Sequence, residues 1–274
     1  MRLGLIAGRG ELPNEIIRSA EKAGKFLYVA RIDGDAHPSE TGRKYHIGQF
    51  GRISKDFKNH QITHIVFAGY IDHPNLFNIR PDFRTLLNLP GVIKASRKGD
   101  DAILRCVLRG FEKDGFNIVS PQHICPHLLI DEGPIGKVSP KKADEIDIKK
   151  AIGAALEVGL SDKGQGAVSR QGKVISIEGK AGTDAMLKEI ALNGSKKELN
   201  DRLGVLAKLL KPGQESRVDL PTIGPRTVML AAEAGLSGIV LHASNGFIME
   251  REEVVRLADK HDMFVVGLNP DNYS

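Results

Sequence analysis

Short apolar runs and longer amphipathic runs take turns along the chain. Leu3 to Ala7, Lys25 to Arg31 and Ile62 to Ala68 are compact stretches rich in Val, Ile and Leu, and they predict strands. Glu11 to Ala23 predicts a helix between the first two. Lys98 to Gly115 spaces Ala102, Ile103, Cys106, Val107 and Phe111 by three and four residues, so a helix there carries them on one face. Asp100 and Asp101 open that helix, where negative charge complements the macrodipole. From residue 143 a second series begins. Helices are expected over 143–160, 183–191, 225–234 and 250–261, and strands over 166–170, 173–177, 205–210, 238–241 and 263–268. Strands alternating with helices are the pattern of crossover connections in a mainly parallel sheet. The fold class is therefore α/β, with two β/α domains.

Periodicity lapses between about Leu129 and Ala143, where Gly133, Pro134, Gly136 and Pro140 concentrate turn formers. This predicts an N-terminal domain over 1–135, a linker over 136–142 and a C-terminal domain over 143–274. The first is expected to be Rossmann-like, with a ligand cleft between the domains. The composition of 274 residues, 41% apolar and 27% charged, suits two such cores and excludes a disordered or fibrous chain. Basic and acidic residues number 19 against 15 over residues 1–135 and 20 against 19 beyond, a surplus too diffuse for a dedicated nucleic-acid binder. No run of 18 apolar residues predicts a membrane-spanning helix, and Arg9 interrupts the apolar start, which reads as a first strand rather than a targeting segment. Cys106 and Cys125 lack C-x-x-C spacing, as free thiols in a reducing cytosol would.

Chemistry concentrates in a few segments. Gly8-Arg9-Gly10 joins the first strand to the first helix, where backbone N–H groups can meet a phosphate or ribose. A dinucleotide fingerprint needs its third glycine at residue 13, and Pro13 breaks that pattern. A tight turn is the competing reading. Lys98-Gly99-Asp100-Asp101 is an N-capped helix start or a polar wall of a site. His123-Ile124-Cys125-Pro126-His127 has ligand-type residues but an incomplete metal set, and Arg80-Pro81 with Asp82 and Arg84 is a ligand loop or a surface turn.

The densest stretch is 162–227. Asp162-Lys163-Gly164-Gln165-Gly166 precedes a strand, and Glu178-Gly179-Lys180-Ala181-Gly182-Thr183-Asp184 precedes a helix whose first turn offers unpaired N–H donors. Thr183 is a helix cap or a ligand contact. Lys208 to Pro225 then gathers Lys208, Lys211, Arg217 and Asp219 in a loop held by prolines and glycines. Cations beside a carboxylate at strand ends suit a phosphorylated ligand with a divalent metal, Asp219 ligating Mg²⁺ or orienting water. Asp219, Lys208 and Arg217 are the expected catalytic groups, and Asp219 with Asp184 the expected metal ligands. Gly8, Gly10, Asp100, Asp101, Gln165, Gly182, Thr183, Asp184, Lys211, Thr222 and Gly224 are the expected substrate contacts. A solvated loop of ordinary salt bridges is the competing reading.

Taken together and in order, these segments resemble the LpxI-type UDP-2,3-diacylglucosamine pyrophosphatases of lipid A biosynthesis. The resemblance rests on Gly4 to Pro13, Lys98 to Arg105, Asp162-x-Gly164-Gln165, Glu178-Gly179-x-x-Gly182-Thr183-Asp184-Ala185-Met186, and Lys211-Pro212-Gly213-Gln214 through Arg217-x-Asp219-Leu220-Pro221-x-Ile223-Gly224-Pro225. It covers nearly the whole chain. Two positions depart from the family pattern: Tyr70 stands where Lys is expected, and the stretch at His242 and Ala243 lacks an expected acidic residue. The resemblance implies Mg²⁺-dependent hydrolysis to UMP and 2,3-diacylglucosamine 1-phosphate (lipid X). It also implies a lipid-linked sugar nucleotide as substrate, a cytoplasmic protein in transient contact with the inner membrane surface, and a homodimer among the expected states. The competing classes are a non-catalytic sugar-nucleotide-binding module and a nicotinamide-dependent oxidoreductase.

Overall fold

A computed structural model describes residues 1–32, 41–71, 82, 85, 100–161, 163–193, 202–213, 215, 217–218 and 220–273, with the backbone alone for Asp100 and Asp101. The chain divides into two compact units, Met1–Pro126 with Glu215–Asp219, and His127–Gln214 with Leu220–Ser274. Both are mixed α/β with parallel-rich sheets.

The first unit contains β1 (Leu3–Ala7), α1 (Leu12–Lys22), β2 (Leu27–Arg31), β3 (Gly42–Lys44), α2 (Phe50–Asn59), β4 (His64–Ala68), α3 (Asp100–Lys113), β5 (Asn117–Ile118) and the short α4 (Pro121–Ile124). Its five-stranded sheet has the order β3-β2-β1-β4-β5, and every pair is parallel. All of β1 is buried, as a central strand covered on both faces requires. Tyr28, Phe57, Phe67, Phe111 and Phe116 form edge-to-face contacts in the core. Gly4 makes room for them, because a Cβ there would lie 2.8 Å from the Phe57 ring. On α3 Val107 and Phe111 of the predicted face pack into this core together with Leu104 and Leu108, while Ala102, Ile103 and Cys106 are half-buried.

The second unit contains β6 (Gly133–Pro134), α5 (Glu145–Leu160), β7 (Gly166–Arg170), β8 (Lys173–Ile177), α6 (Gly182–Asn193), β9 (Val205–Lys208), β10 (Thr222–Ile223), α7 (Pro225–Glu233), β11 (Gly238–His242), β12 (Phe247–Ile248), α8 (Arg251–Lys260) and β13 (Phe264–Leu268). Its six-stranded sheet has the order β6-β13-β11-β9-β7-β8. The centre β9, β11 and β13 is parallel, whereas β6, β7 and β8 pair antiparallel with their neighbours. The β7–β8 hairpin follows from its two-residue turn: Gln171 and Gly172 both have positive φ, the geometry that matches strand twist in tight hairpins. Asp147, at the start of α5, accepts from both turn N–H groups and from the Ser169 hydroxyl. The segment 136–142 belongs to this unit, where the Lys137 N–H donates to Asp259 at 2.8 Å.

Candidate active site at the carboxyl edge of the second sheet

β7 runs antiparallel to both β8 and β9, so β8 and β9 point the same way, as do β11 and β13. One edge of the sheet therefore carries the exit of β8, the entrance of β7, and the ends of β9 and β11. In that order these positions hold Glu178, Gln165 with Gly166, Lys208, and His242. Adjacent strands lie about 4.8 Å apart, so four polar side chains originate along a line roughly 14 Å long.

Local contacts fix each position. The Glu178 N–H donates to the Gly166 carbonyl, and the Gln165 N–H points at the Glu178 carboxylate at 3.4 Å. Gly166 leaves room for the Glu178 carboxylate, since a Cβ would lie 2.8 Å from Glu178 Oε2. Glu178 is 8% exposed. Lys208 Nζ donates to the Thr222 carbonyl at 2.8 Å, tying the end of β9 to β10, and the Thr222 hydroxyl donates to the Leu220 carbonyl. Lys211 and Pro212 lie close over Gly159 at the end of α5.

Two helix starts complete the arrangement. Gly182 adopts φ +81° as α6 begins, and Thr183 and Asp184 occupy the first turn. Gly224 is the extended residue before Pro225 opens α7. Asp184 and Arg226 join the two turns through a 2.8 Å ion pair. Each start presents backbone N–H groups without helical partners and positive partial charge.

Three side-chain atoms here are sealed from solvent without a hydrogen-bond partner: Gln165 Oε1, Thr183 Oγ1 and His242 Nδ1. Burial pushes the His242 imidazole below its usual pKa, so it is held neutral, and Asp271 opposes this only in part. Unpaired buried polar atoms cost about 1–3 kcal/mol each, and native proteins keep few of them without a ligand, ion or water to satisfy them. A donor-rich, cationic corner with two helix starts is suited to phosphate oxygens.

The structure therefore brings Gln165, Gly182, Thr183, Asp184, Lys208, Lys211, Thr222 and Gly224 into one unit. Gly8, Gly10 and Arg217 belong to the other. A Cβ at Gly8 would lie 2.5 Å from the Tyr70 carbonyl oxygen, and the Arg9 and Tyr70 backbones exchange two hydrogen bonds, so the fold itself explains Gly8. Gly10 adopts φ +98° and is exposed. The Arg217 guanidinium is bound by both Glu215 oxygens and by Glu112, which hold its charge on more firmly than usual. Asp100 and Asp101 begin α3. Asp219, Asp162, the segment 98–99 and the residues 80, 81 and 84 lie outside the described residues. In the His123 to His127 stretch Cys125 is fully buried, its thiol pushed up by burial and donating to Ser19, while His123 meets the Ser120 hydroxyl.

Sequence reasoning named Glu178 and His242 only within their motifs, without a role, and passed over Arg226. Glu178 stands directly after a predicted strand, and Arg226 is a cation in the first turn of a predicted helix, where the dipole opposes it. His242 follows a predicted strand and needed the sheet order to place it beside Lys208.

Residues 2–128 match the LpxI N-terminal domain and residues 131–266 the LpxI C-terminal domain. A protein of Caulobacter vibrioides named UDP-2,3-diacylglucosamine pyrophosphatase LpxI is 44% identical over 274 residues, covering 98% of each chain. With both halves matched and a relative this similar end to end, the chain belongs to the LpxI family.

Proposed function

We propose that this chain hydrolyses the pyrophosphate bond of UDP-2,3-diacylglucosamine, giving UMP and 2,3-diacylglucosamine 1-phosphate (lipid X) in lipid A biosynthesis. The observation that carries this reading is the end-to-end similarity to the Caulobacter relative of that name. The edge of the second sheet supports it. Phosphoryl transfer asks a protein chiefly for positioning and charge stabilisation, and Lys208, Lys211 and the two helix starts supply both. Gln165, Gly182, Thr183, Thr222 and Gly224 are the substrate contacts in this reading. Asp219, Lys208 and Arg217 are the catalytic groups in this reading, Asp219 orienting the attacking water or holding the metal, and Arg217 is held by Glu112 and Glu215.

Mg²⁺ in phosphate chemistry needs only one or two carboxylates beside phosphate oxygens. No three His, Cys, Asp or Glu side chains converge among the described residues. Asp219 and Asp184 would hold the ion, Asp184 being paired with Arg226. When bound, Mg²⁺ neutralises charge on the phosphate oxygens.

The first unit's strand order supports a Rossmann-like reading, with Gly8 to Gly10 and Tyr70 where that order reverses at the exits of β1 and β4. Tyr70 and Ile71 there are exposed. No described helix is long and apolar enough to cross a membrane, so the membrane contact proposed is transient and peripheral.

Incubation with the diacylated UDP-sugar in H₂¹⁸O, with and without Mg²⁺, followed by mass analysis of both products, tests the reading. UMP and the sugar 1-phosphate should form only with the metal, one of them carrying the label. Absence of turnover refutes it.

A further inference from the structure

Helix α5 carries apolar residues on two sides. Ile148, Ala151, Ile152 and Ala155 are buried against the sheet, whereas Ile146 and Leu160 on the opposite side are 57% and 72% exposed. At 3.6 residues per turn Ile146, Lys149, Gly153, Glu157 and Leu160 fall within one stripe about 80° wide, and all five are exposed. Read outwards from Gly153 the stripe is a palindrome: charges of opposite sign, Lys149 and Glu157, stand four residues away on either side, and the aliphatic Ile146 and Leu160 stand seven away. Lys149 and Glu157 lie beyond the three- and four-residue spacing at which side chains pair along one helix. A glycine in mid-helix destabilises relative to alanine, and nothing within the chain requires one here, since no atom lies within 4 Å of where a Gly153 Cβ would be.

The apolar face continues onto β8, the edge strand of the sheet. Val174 and Ile177 pair with Ser169 and Ala167, which face α5, so they lie on the helix's side of the sheet, yet they are 43% and 53% exposed. Ile146 rests on the hairpin turn, its Cδ1 3.1 Å from where a Gly172 Cβ would be. An apolar edge strand is a feature that proteins ordinarily blunt with charge or cover.

We infer that this face binds a second copy of the chain, two α5 helices crossing antiparallel about a two-fold axis at Gly153. Each Lys149 then meets Glu157 of the partner subunit, and each Ile146 meets Leu160 of the partner subunit. A two-fold interface demands such an exchange of roles at every position, and the palindrome meets it with complementary charge. Glycine at the axis lets the helices approach at the short end of the usual 8–10 Å range. An anionic lipid surface would instead favour a uniformly basic stripe, which Glu157 interrupts. The inference goes beyond the hydrolase reading and does not depend on it.

Sedimentation velocity of the full chain over a concentration series tests it, with melting curves to check that each variant is folded. Wild type should form a dimer. Lys149→Glu and Glu157→Lys should each raise the dimer Kd on the order of tenfold or more, because like charges then meet twice across the axis. Mixing the two single variants in equal amounts should restore a dimer, since a heterodimer of the two has opposite charges at both contacts, and the double variant should recover likewise. Gly153→Gln should also weaken the dimer by filling the axis, while leaving the melting temperature of dilute protein equal or higher. Wild type that stays monomeric throughout the series overturns the inference. So does a dimer indifferent to all these substitutions, or a mixture of the single variants that remains monomeric. Monomeric wild type that co-sediments with phosphatidylglycerol vesicles, and loses this in Lys149→Glu, would give the face to a lipid surface instead.

Discussion

Where β1 leaves the first unit's sheet, the backbones of Arg9 and Tyr70 exchange hydrogen bonds at 2.8 and 3.0 Å. At the matching edge of the second sheet and in the helix turn that follows β8, the buried atoms Gln165 Oε1, Thr183 Oγ1 and His242 Nδ1 face no partner. The two regions looked alike in sequence, since both are glycine-rich turns between a strand and a helix. They differ in what uses the glycines. In the first unit the Gly8 site is filled by the protein's own chain, Gly69 meeting Arg9 O as closely as Gly8 meets Tyr70 O. In the second, Gly182 has open space around its missing Cβ and stands next to a sealed, unpaired hydroxyl. Glycine thus serves close backbone approach at Gly8 and a positive φ at Gly182, and the unsatisfied polar atoms beside the second separate the two turns.

The largest effect expected is on Asp219. Asp219→Ala should lower kcat by on the order of a hundredfold or more with KM within a few-fold of wild type, because an interaction made mainly in the transition state is lost. Steady-state kinetics on a folded variant decide it, and near wild-type turnover would move the chemistry to another carboxylate, with Glu178 first in line.

Gly8→Ala probes the other side of the comparison. A methyl group 2.5 Å from a backbone oxygen forces the Arg9–Tyr70 bridge apart, at about 1–3 kcal/mol in the manner of an overpacked core. Urea denaturation should show that loss. Wild-type stability combined with lost substrate binding would instead make this loop ligand-facing, and the contrast between the units would fail.

Thr183→Val sharpens the contrast from the second unit. A hydroxyl capping the helix would, on removal, cost about 1 kcal/mol of stability. Here the hydroxyl has no partner, so the near-isosteric valine should leave the melting temperature unchanged or raise it, while KM rises several-fold. A lowered melting temperature with unchanged KM would return Thr183 to structure.

Most of the regular structure was legible because it follows from periodicity: every strand and helix expected from the apolar pattern appears, most within a few residues of its predicted ends. α2 was equally readable, with Phe50, Ile53 and Phe57 at helical spacing, but lay in a stretch given no assignment. β3 could not be read that way, since Gly42-Arg43-Lys44 is an exposed edge strand defined only by its hydrogen bonds to β2. The two-residue strands β5, β6, β10 and β12 are likewise products of neighbours rather than of local preference. For the site, residue types and spacing pointed to the 162–227 stretch, but strand order was needed to line up Glu178, Gln165, Lys208 and His242. The role of Arg217 illustrates the limit: its charge was visible in sequence, its two glutamate partners were not.

The smallest effect expected comes from His242 and is read in the pH dependence of stability. Burial holds the folded imidazole below the ordinary 6.5, and His261 is lowered in the same sense by burial and then by Arg202 and Lys260. Well above pH 6.5 both states are neutral at these positions and nothing is lost. As pH falls below that value the unfolded chain takes up protons that the folded protein refuses, so stability declines until the folded pKa values are passed. His242→Asn should therefore flatten the decline that sets in as pH falls through 6.5, by about 1.4 kcal/mol for each unit of pKa depression removed. Chemical denaturation across that range measures it, with His261→Asn as the parallel variant. If only His261→Asn flattens the curve, the His242 imidazole already has a proton-accepting partner at its buried nitrogen, and the second sheet's edge would hold one fewer atom waiting for a ligand.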